Sequence, residues 1–471
     1  MLQTKKNIQE LTVAYIGGGS RGWAWGFMKD LALDGEICGT VRLYDIDQEA
    51  AERNRIIGEK ISAHQDAASR WAYEVSDSLQ EALTGADFVV ISILPGTFDE
   101  MESDVHLPER LGVWQPVGDT VGAGGFMRAM RTIPMFVTIG EAIRDYAPEA
   151  WVINYTNPMS LCVRTLYEVF PGIRAFGCCH EVFGTQKLLC SMLKTEEGID
   201  GVKRQDLYTT VTGINHFTWL TSATWKGMDL FPLYARFAEK YAESGYDEGG
   251  DDNWMNSHFN CAQRVKFDLF RRYGAIAAAG DRHLAEFVAP WYTRNPETVR
   301  EWKFSLTPVS WRKQDLKDRL QMSEDLVSGK KEIALNGSGE EGHLLLKALL
   351  GLGDMVSNVN IPNRGQIPNL PLGAVVETNA LFGLNRIDPV YAGPVPASIL
   401  PLITRHVLNQ ENTLTSALRC DRKLGLTTFL NDPQLSGVTP ADGERLFNDM
   451  LENQRTFLPE KWFKEPQHKT T

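Results

Sequence analysis

The chain has 471 residues, of which 43% are apolar, 10% aromatic and 23% charged. That composition excludes fibrous, collagen-like and largely disordered classes, and the length predicts two or three domains. With 48 Lys and Arg against 60 Asp and Glu, the net charge of −12 excludes bulk attraction to nucleic acid or anionic lipid, while a local arginine cluster can still receive a small anion.

No apolar stretch follows Lys5 and Lys6 in the manner of a signal peptide, and no run of about 18 apolar residues suggests a membrane span. Seven cysteines are scattered along the chain without a CxxC pair. They indicate reduced thiols rather than a disulfide framework or a zinc knuckle, so a cytoplasmic location is expected.

Residues 11–16 form a short apolar run that stops at Gly17-Gly18-Gly19, the pattern of a buried parallel strand entering a tight turn. Residues 21–33 read as a helix, 41–45 as a second strand, 50–61 as a second helix and 88–93 as a third strand. Strand-like runs at 151–154 and 175–178 bracket a helical stretch at 159–169. Such alternation predicts an α/β fold with a doubly wound parallel sheet. After about residue 200 the texture changes. Residues 207–220 are rich in Thr and β-branched side chains, and helical segments follow at 231–241, 259–273 and 398–414. The predicted organisation is a first domain over residues 1–200 and a mixed α+β domain over 201–471 that covers and completes its site. Residues 243–253 read as a mobile loop or lid, and the polar tail beyond Trp462 as frayed.

Gly17, Gly19 and Gly22 satisfy G-x-G-x-x-G between a predicted strand and a predicted helix. Glycine there permits a tight turn and close approach of the backbone to a pyrophosphate at the helix N-terminus. Asp45 follows at the end of the next strand, where a carboxylate holds a ribose hydroxyl and repels a 2′-phosphate. NAD is therefore the expected cofactor of a Rossmann-like domain, bound by Gly17, Gly18, Gly19, Ser20, Arg21 and Asp45. A ligand-free glycine turn would carry the same three glycines.

Four further groups carry side chains capable of chemistry. Cys178-Cys179-His180-Glu181-Val182 ends a strand of the same sheet, where a thiolate and an imidazole can ligate a divalent metal or pack without one. Asn215-His216 lies in a β-like stretch. Asn157 precedes Pro158 and either caps the next helix or bonds a nicotinamide or sugar hydroxyl. Asp281-Arg282-His283-Leu284-Ala285-Glu286 gathers four ionisable side chains, as a solvated helix start also would. A second glycine-rich loop, residues 118–125, precedes a helix bearing Arg128 and Arg131, but lacks the Lys-Ser/Thr ending of a nucleotide triphosphatase.

Taken together, Gly17-Gly18-Gly19-Ser20, Asn157-Pro158, Cys179-His180-Glu181-Val182, Asn215-His216, Asn363-Arg364-Gly365 and Val376-Glu377 resemble the NAD- and metal-dependent family-4 glycoside hydrolases. Their order spans most of the chain. Among glycosidases this family is an exception to the usual pair of carboxylates. The resemblance implies oxidation of the sugar at C3 by NAD⁺, removal of the C2 proton, elimination of the aglycone, addition of water and re-reduction. It also implies that Cys179 and His216 hold Mn²⁺ or a similar ion, that His180 is the leaving-group acid, and that the chain forms a homodimer or homotetramer.

Phospho-sugar members use a tyrosine as base, whereas the corresponding stretch here reads Asp281-Arg282-His283. Asp281 is therefore the expected base and His283 its competitor. Residues 95–100, Pro-Gly-Thr-Phe-Asp-Glu, offer no cation for a 6-phosphate, so an unphosphorylated sugar is expected. Cys-His-Glu-Val resembles the α-galacturonidase-like members. A uronate carboxylate needs a cation, for which Arg128, Arg131 and Arg282 are candidates, with Asp119 and Asn157 as further substrate contacts. An α-galactosidase, α-glucosidase or α-glucuronidase of the same family, an NAD-dependent sugar dehydrogenase and a non-catalytic NAD sensor stay open.

Overall fold

The computed structural model describes residues 8–247 and 253–464. Part of the expected lid, residues 248–252, and the tail beyond 464 lie outside the described residues. Thirteen strands are found among them. Six come early: β1 (Ile8–Ile16), β2 (Ile37–Tyr44), β3 (Trp71–Val75), β4 (Phe88–Ile91), β5 (Trp151–Asn154) and β6 (Arg174–Gly177). Then follow β7 (Leu207–Ile214), β8 (Phe217–Trp225), β9 (Met228–Asp229), β10 (Ile276–Ala277), β11 (Met355–Pro362), β12 (Val375–Gly383) and β13 (Arg386–Pro389).

The chain divides into two compact units, and neither is continuous in sequence. The first comprises Met1–Leu94, Val137–His180 and Ser310–Pro394; the second comprises Pro95–Phe136, Glu181–Val309 and Val395–Thr471. This replaces the expected single boundary near residue 200. The reason lies in three strands, β11, β12 and β13, that run antiparallel and need a sheet edge to pair with. They find it in the first unit, where Asn360 on β11 faces Gly177 on β6.

The first unit holds one nine-stranded sheet of order β13-β12-β11-β6-β5-β4-β1-β2-β3. Strands β1 to β6 are parallel and change direction of succession between β1 and β4, the crevice where doubly wound sheets bind ligands. The expected doubly wound sheet is present, extended by an antiparallel wing. All four residues of β4 are buried, and Val13, Tyr15, Phe27, Leu31, Leu43, Ile57, Phe88, Phe176, Leu346 and Phe382 share one core. Helix Gln48–Ser62 starts where the Asp47 side chain accepts from Ala50 N, the usual device for satisfying orphan amides at a helix start.

In the second unit β7 and β8 form an antiparallel hairpin, with β10 and β9 paired to β8. Helices Phe231–Lys240 and Arg264–Tyr273 bury Tyr234, Phe237 and Phe267 with Val211, Leu220 and Ile276 of the hairpin sheet. The last of these helices starts later than expected, because Gln263 takes a left-handed backbone (φ 62°) just before it. Among the described residues no helix is long and apolar enough to cross a membrane, and all seven cysteines are free.

Candidate active site

The glycine turn of the first unit follows β1 directly. Gly17 N and Gly18 N both donate to Tyr44 O, so the turn closes against the end of β2. Gly17 has φ 91°, and a Cβ there would overlap the carbonyl oxygen of Ser92, just past β4. At Gly19 a Cβ would lie 2.7 Å from Ala50 Cβ and 2.9 Å from Asp45 Oδ2. The turn is thus open only to glycine, at the switch point of the sheet. Asp45 accepts from Gly19 N through Oδ2 and from Asp47 N through Oδ1, both at 2.9 Å, and each carboxylate oxygen keeps a second lone pair for another donor. Ser20 N donates to Gly17 O, while Arg21 lies 3.6 Å from Asp47.

Also in the first unit, Asn157 lies between β5 and helix Met159–Val169. It does not cap that helix: the cap position is Pro158 and no side chain closes it. Beyond β6, Cys178 N donates to Asn154 O. Burial and the nearby Glu340, Glu341 and Glu377 push the Cys178 thiol well above its ordinary range. Cys179 is buried with Met159, Val163 and Val375. Its carbonyl accepts from Asn358 Nδ2, which also donates to Glu377. His180 is exposed, and its Nδ1 stands 3.1 Å from Glu340 Oε1, with the Trp23 ring 6.2 Å away. Sequence reasoning missed Glu340, although its place after Gly337-Ser338-Gly339 marks a turn. Ser338 N donates to the buried Asp30 and fixes that turn.

The second unit gathers three expected residues from three distant segments. Asp119, His216 and His283 present ligand atoms within 4.8 Å of one another. His216 sits at the tip of the β7–β8 hairpin with φ 63°, an uncommon conformation for a residue with a side chain and one that clusters at functional sites. Its ring stacks on that of His283, with centroids 3.7 Å apart. Thr120 Oγ1 donates to Asp119 Oδ1 at 2.7 Å and lies 2.9 Å from His216 Nδ1. Burial alone would raise Asp119, but the positive potential of His216, His283 and Arg128 and the Thr120 hydrogen bond hold it well below the usual carboxylate range. Behind His283, Glu181 Oε1 lies 3.8 Å from Nε2, and Glu181 Oε2 accepts from Gly280 N at 2.6 Å.

The loop that carries Asp119 and Thr120 is held by buried side chains. Glu286 Oε1 accepts from Val117 N at 2.7 Å and Gly118 N at 2.9 Å. Asp432 accepts from Gly122 N, and Gln115 from Gly124 N, each at 2.9 Å. Neither Thr120 nor Glu286 was assigned a role from sequence. Their signal was only their company, a glycine-rich loop and a cluster of ionisable residues.

Two expectations are corrected here. Asp281 is fully buried, and its carboxylate accepts from Val265 N and Lys266 N at 3.1 Å, capping helix Arg264–Tyr273. Burial pushes its carboxyl up to about 6 against the pull of Lys266 and those amides. A carboxylate committed to a helix start is poorly placed to take a proton from substrate. Arg131 is likewise not available to a uronate: with no exposed side-chain surface, it pairs with Asp104 at 2.7 Å and bonds Gln454. Arg282 donates to Pro116 O and Thr307. Arg128 is the arginine whose charge reaches Asp119.

The chain matches the family model "Family 4 glycosyl hydrolase" over residues 12–195 and "Family 4 glycosyl hydrolase C-terminal domain" over residues 211–435. It is 58% identical to an alpha-galacturonidase of Thermoanaerobacterium saccharolyticum, over 97% of this chain and 98% of that one. An alpha-galacturonidase of Bacillus subtilis is 52% identical over 94% of this chain and 98% of its own. A Bacillus subtilis crystal structure described as that of a glucosidase has 52% identity and a TM-score of 0.90, covering 94% of this chain and 100% of the other. Both halves matched, at more than 50% identity along nearly the whole length, the chain belongs to family 4 of the glycosyl hydrolases.

Proposed function

We propose that this protein is an α-galacturonidase that cleaves an unphosphorylated α-galacturonide with NAD and a divalent cation. The observation that carries the substrate is the near full-length identity to proteins named alpha-galacturonidase. The residues fit both groups: a glycine turn that a Cβ would fill suits a pyrophosphate, and a carboxylate beside imidazoles suits manganese. When bound, the dinucleotide supplies hydride acceptance and return at C3, and the cation supplies polarisation of the C3 oxygen, which acidifies the C2 proton.

The chain's own residues do the rest. Cys179 and His216 are donors for the cation, and Asp119, whose carboxylate stands beside His216, is a further one. His283 takes the C2 proton, and the Glu181 carboxylate 3.8 Å away stabilises the imidazolium that forms. His180 gives a proton to the departing oxygen, its ring held through Nδ1 by Glu340. Arg128 receives the C6 carboxylate. Around residues 97–100 the first turn of helix Phe98–His106 carries Asp99 and Glu100, with Thr97 and Glu100 closing a capping box. That acidic start favours substrates without a phosphate. A cytoplasmic location and a homo-oligomeric assembly complete the reading.

The test is nitrophenyl α-galacturonide with Mn²⁺ and trace NAD⁺ under reducing conditions. Nitrophenol in large excess over NADH, with primary deuterium isotope effects at C2 and C3, is the expected result. Stoichiometric NADH would identify a dehydrogenase instead. Cys179→Ser is expected to lose metal affinity and activity while keeping dinucleotide binding; unchanged activity would remove Cys179 from the metal set. His283→Ala is expected to lower kcat by about 10²–10⁴ with Mn²⁺ affinity within twofold. A parallel loss of Mn²⁺ would make His283 a ligand, not the base.

A further inference from the structure

Thr120 has one hydroxyl proton and two neighbours that could engage it. Oγ1 donates to Asp119 Oδ1 at 2.7 Å and stands 2.9 Å from His216 Nδ1. A carboxylate oxygen only accepts, and a hydroxyl donates one hydrogen. With that hydrogen spent on Asp119, the contact with His216 is a hydrogen bond only when Nδ1 carries a proton and donates it to Oγ1. A neutral ring protonated at Nδ1 has its in-plane lone pair at Nε2, the atom with which it can ligate a cation.

The surroundings leave this arrangement little freedom. Thr120 is 5% exposed and His216 3% exposed, so bulk water does not substitute for the hydroxyl. His216 is fixed by its left-handed hairpin position. Thr120 is fixed by a loop whose amides are received by Glu286, Gln115 and Asp432. A side chain of the same shape without the hydroxyl would leave Nδ1 without this acceptor and let the ring shift its proton to Nε2, where it blocks ligation.

We infer that Thr120 is a positioning residue: it holds His216 as the Nδ1-protonated tautomer and so presents Nε2 to the divalent cation. This rests on the metal reading above, and two independent readouts keep them apart. In metal-free protein labelled with ¹⁵N in the histidine rings, His216 assigned by loss of its signals in His216→Asn is expected to show the Nδ1-protonated pattern. Thr120→Val, isosteric and expected to melt normally, should show an Nε2-protonated or mixed pattern and bind Mn²⁺ about 10–100-fold more weakly by electron paramagnetic resonance titration. Thr120→Ser should recover most of that affinity. Mn²⁺ binding by Thr120→Val equal to wild type, or by Thr120→Ser as weak as by Thr120→Val, overturns the inference; Thr120→Ala stands in should the valine variant not fold. A wild type that leaves Mn²⁺ free while its ring keeps the Nδ1 proton overturns the metal reading, not the hydrogen bond.

Discussion

Glu286 shows how a single buried carboxyl can set a pH dependence. Burial raises it from its ordinary value of 4.5 to about 8, against the Val117 and Gly118 amides that favour the charged form. The folded chain therefore holds a proton that the unfolded chain releases above about pH 4.5. Its contribution to stability is fully present below that value and is lost as pH rises toward 8. Melting temperatures of the metal-free protein at pH 5, 7 and 9 are expected to fall across this window, and less steeply in Glu286→Gln. Arg131 and Arg128 separate in the same manner. Arg131→Met leaves Asp104 buried without its partner and is expected to cost about 3–5 kcal/mol of stability, read by denaturant unfolding. Arg128→Gln is expected to raise KM for a galacturonide tenfold or more with little change for a neutral galactoside; equal effects on both sugars would remove it from the carboxylate site. The sequence named all three expected arginines but could not rank them. Their ranking depends on partners such as Asp104 and Thr307, which lie 27 and 25 residues away from Arg131 and Arg282. Asp281 was misread for a similar reason, since the helix start it caps lies 15 and 16 residues upstream.

At the level of elements, the strand-turn-helix around Gly17 was legible because its chemistry is local. An apolar strand, glycines with no room for a Cβ, and an acid at the end of the next strand can all be read along one stretch. Gly17→Ala tests that stretch. Its positive φ alone costs on the order of 1 kcal/mol, and the overlap with Ser92 adds to it. The expected outcome is at least tenfold weaker NAD binding by calorimetry, with Mn²⁺ binding unchanged. The hairpin bearing His216 was seen only as a β-like stretch. Its tip holds Asn215 and His216 between β7 and β8 without a glycine, so the usual turn signal was missing. Helix Val309–Ser328 and strands β11 to β13 were not placed either; the strands pair with an edge, β6, that lies about 180 residues earlier in the chain.

For the molecule as a whole, the fold class and the family-defining residues were readable, whereas the partition of the chain was not. Local periodicity tells what an element is; it does not tell which unit receives it. Residues 95–136 leave the first unit after β4 and the chain returns to it at 137, inside the long helix Gly122–Tyr146. A truncation after residue 200 is therefore expected to yield no stable dinucleotide-binding fragment, as judged by circular dichroism and NAD calorimetry. A folded fragment would show that the antiparallel wing is dispensable.

The late arrival of β11 has a consequence for biosynthesis. Between emergence of β6 at Gly177 and of β11, complete at Pro362, a ribosome working at 5–20 residues per second needs roughly 10–40 s. Throughout that interval the nascent chain carries an uncovered row of amide and carbonyl groups along Arg174–Gly177, a template for adhesion to neighbouring polypeptides. Synthesis slowed within residues 180–350 should thus raise the share of insoluble product, and holdase chaperones should recover it.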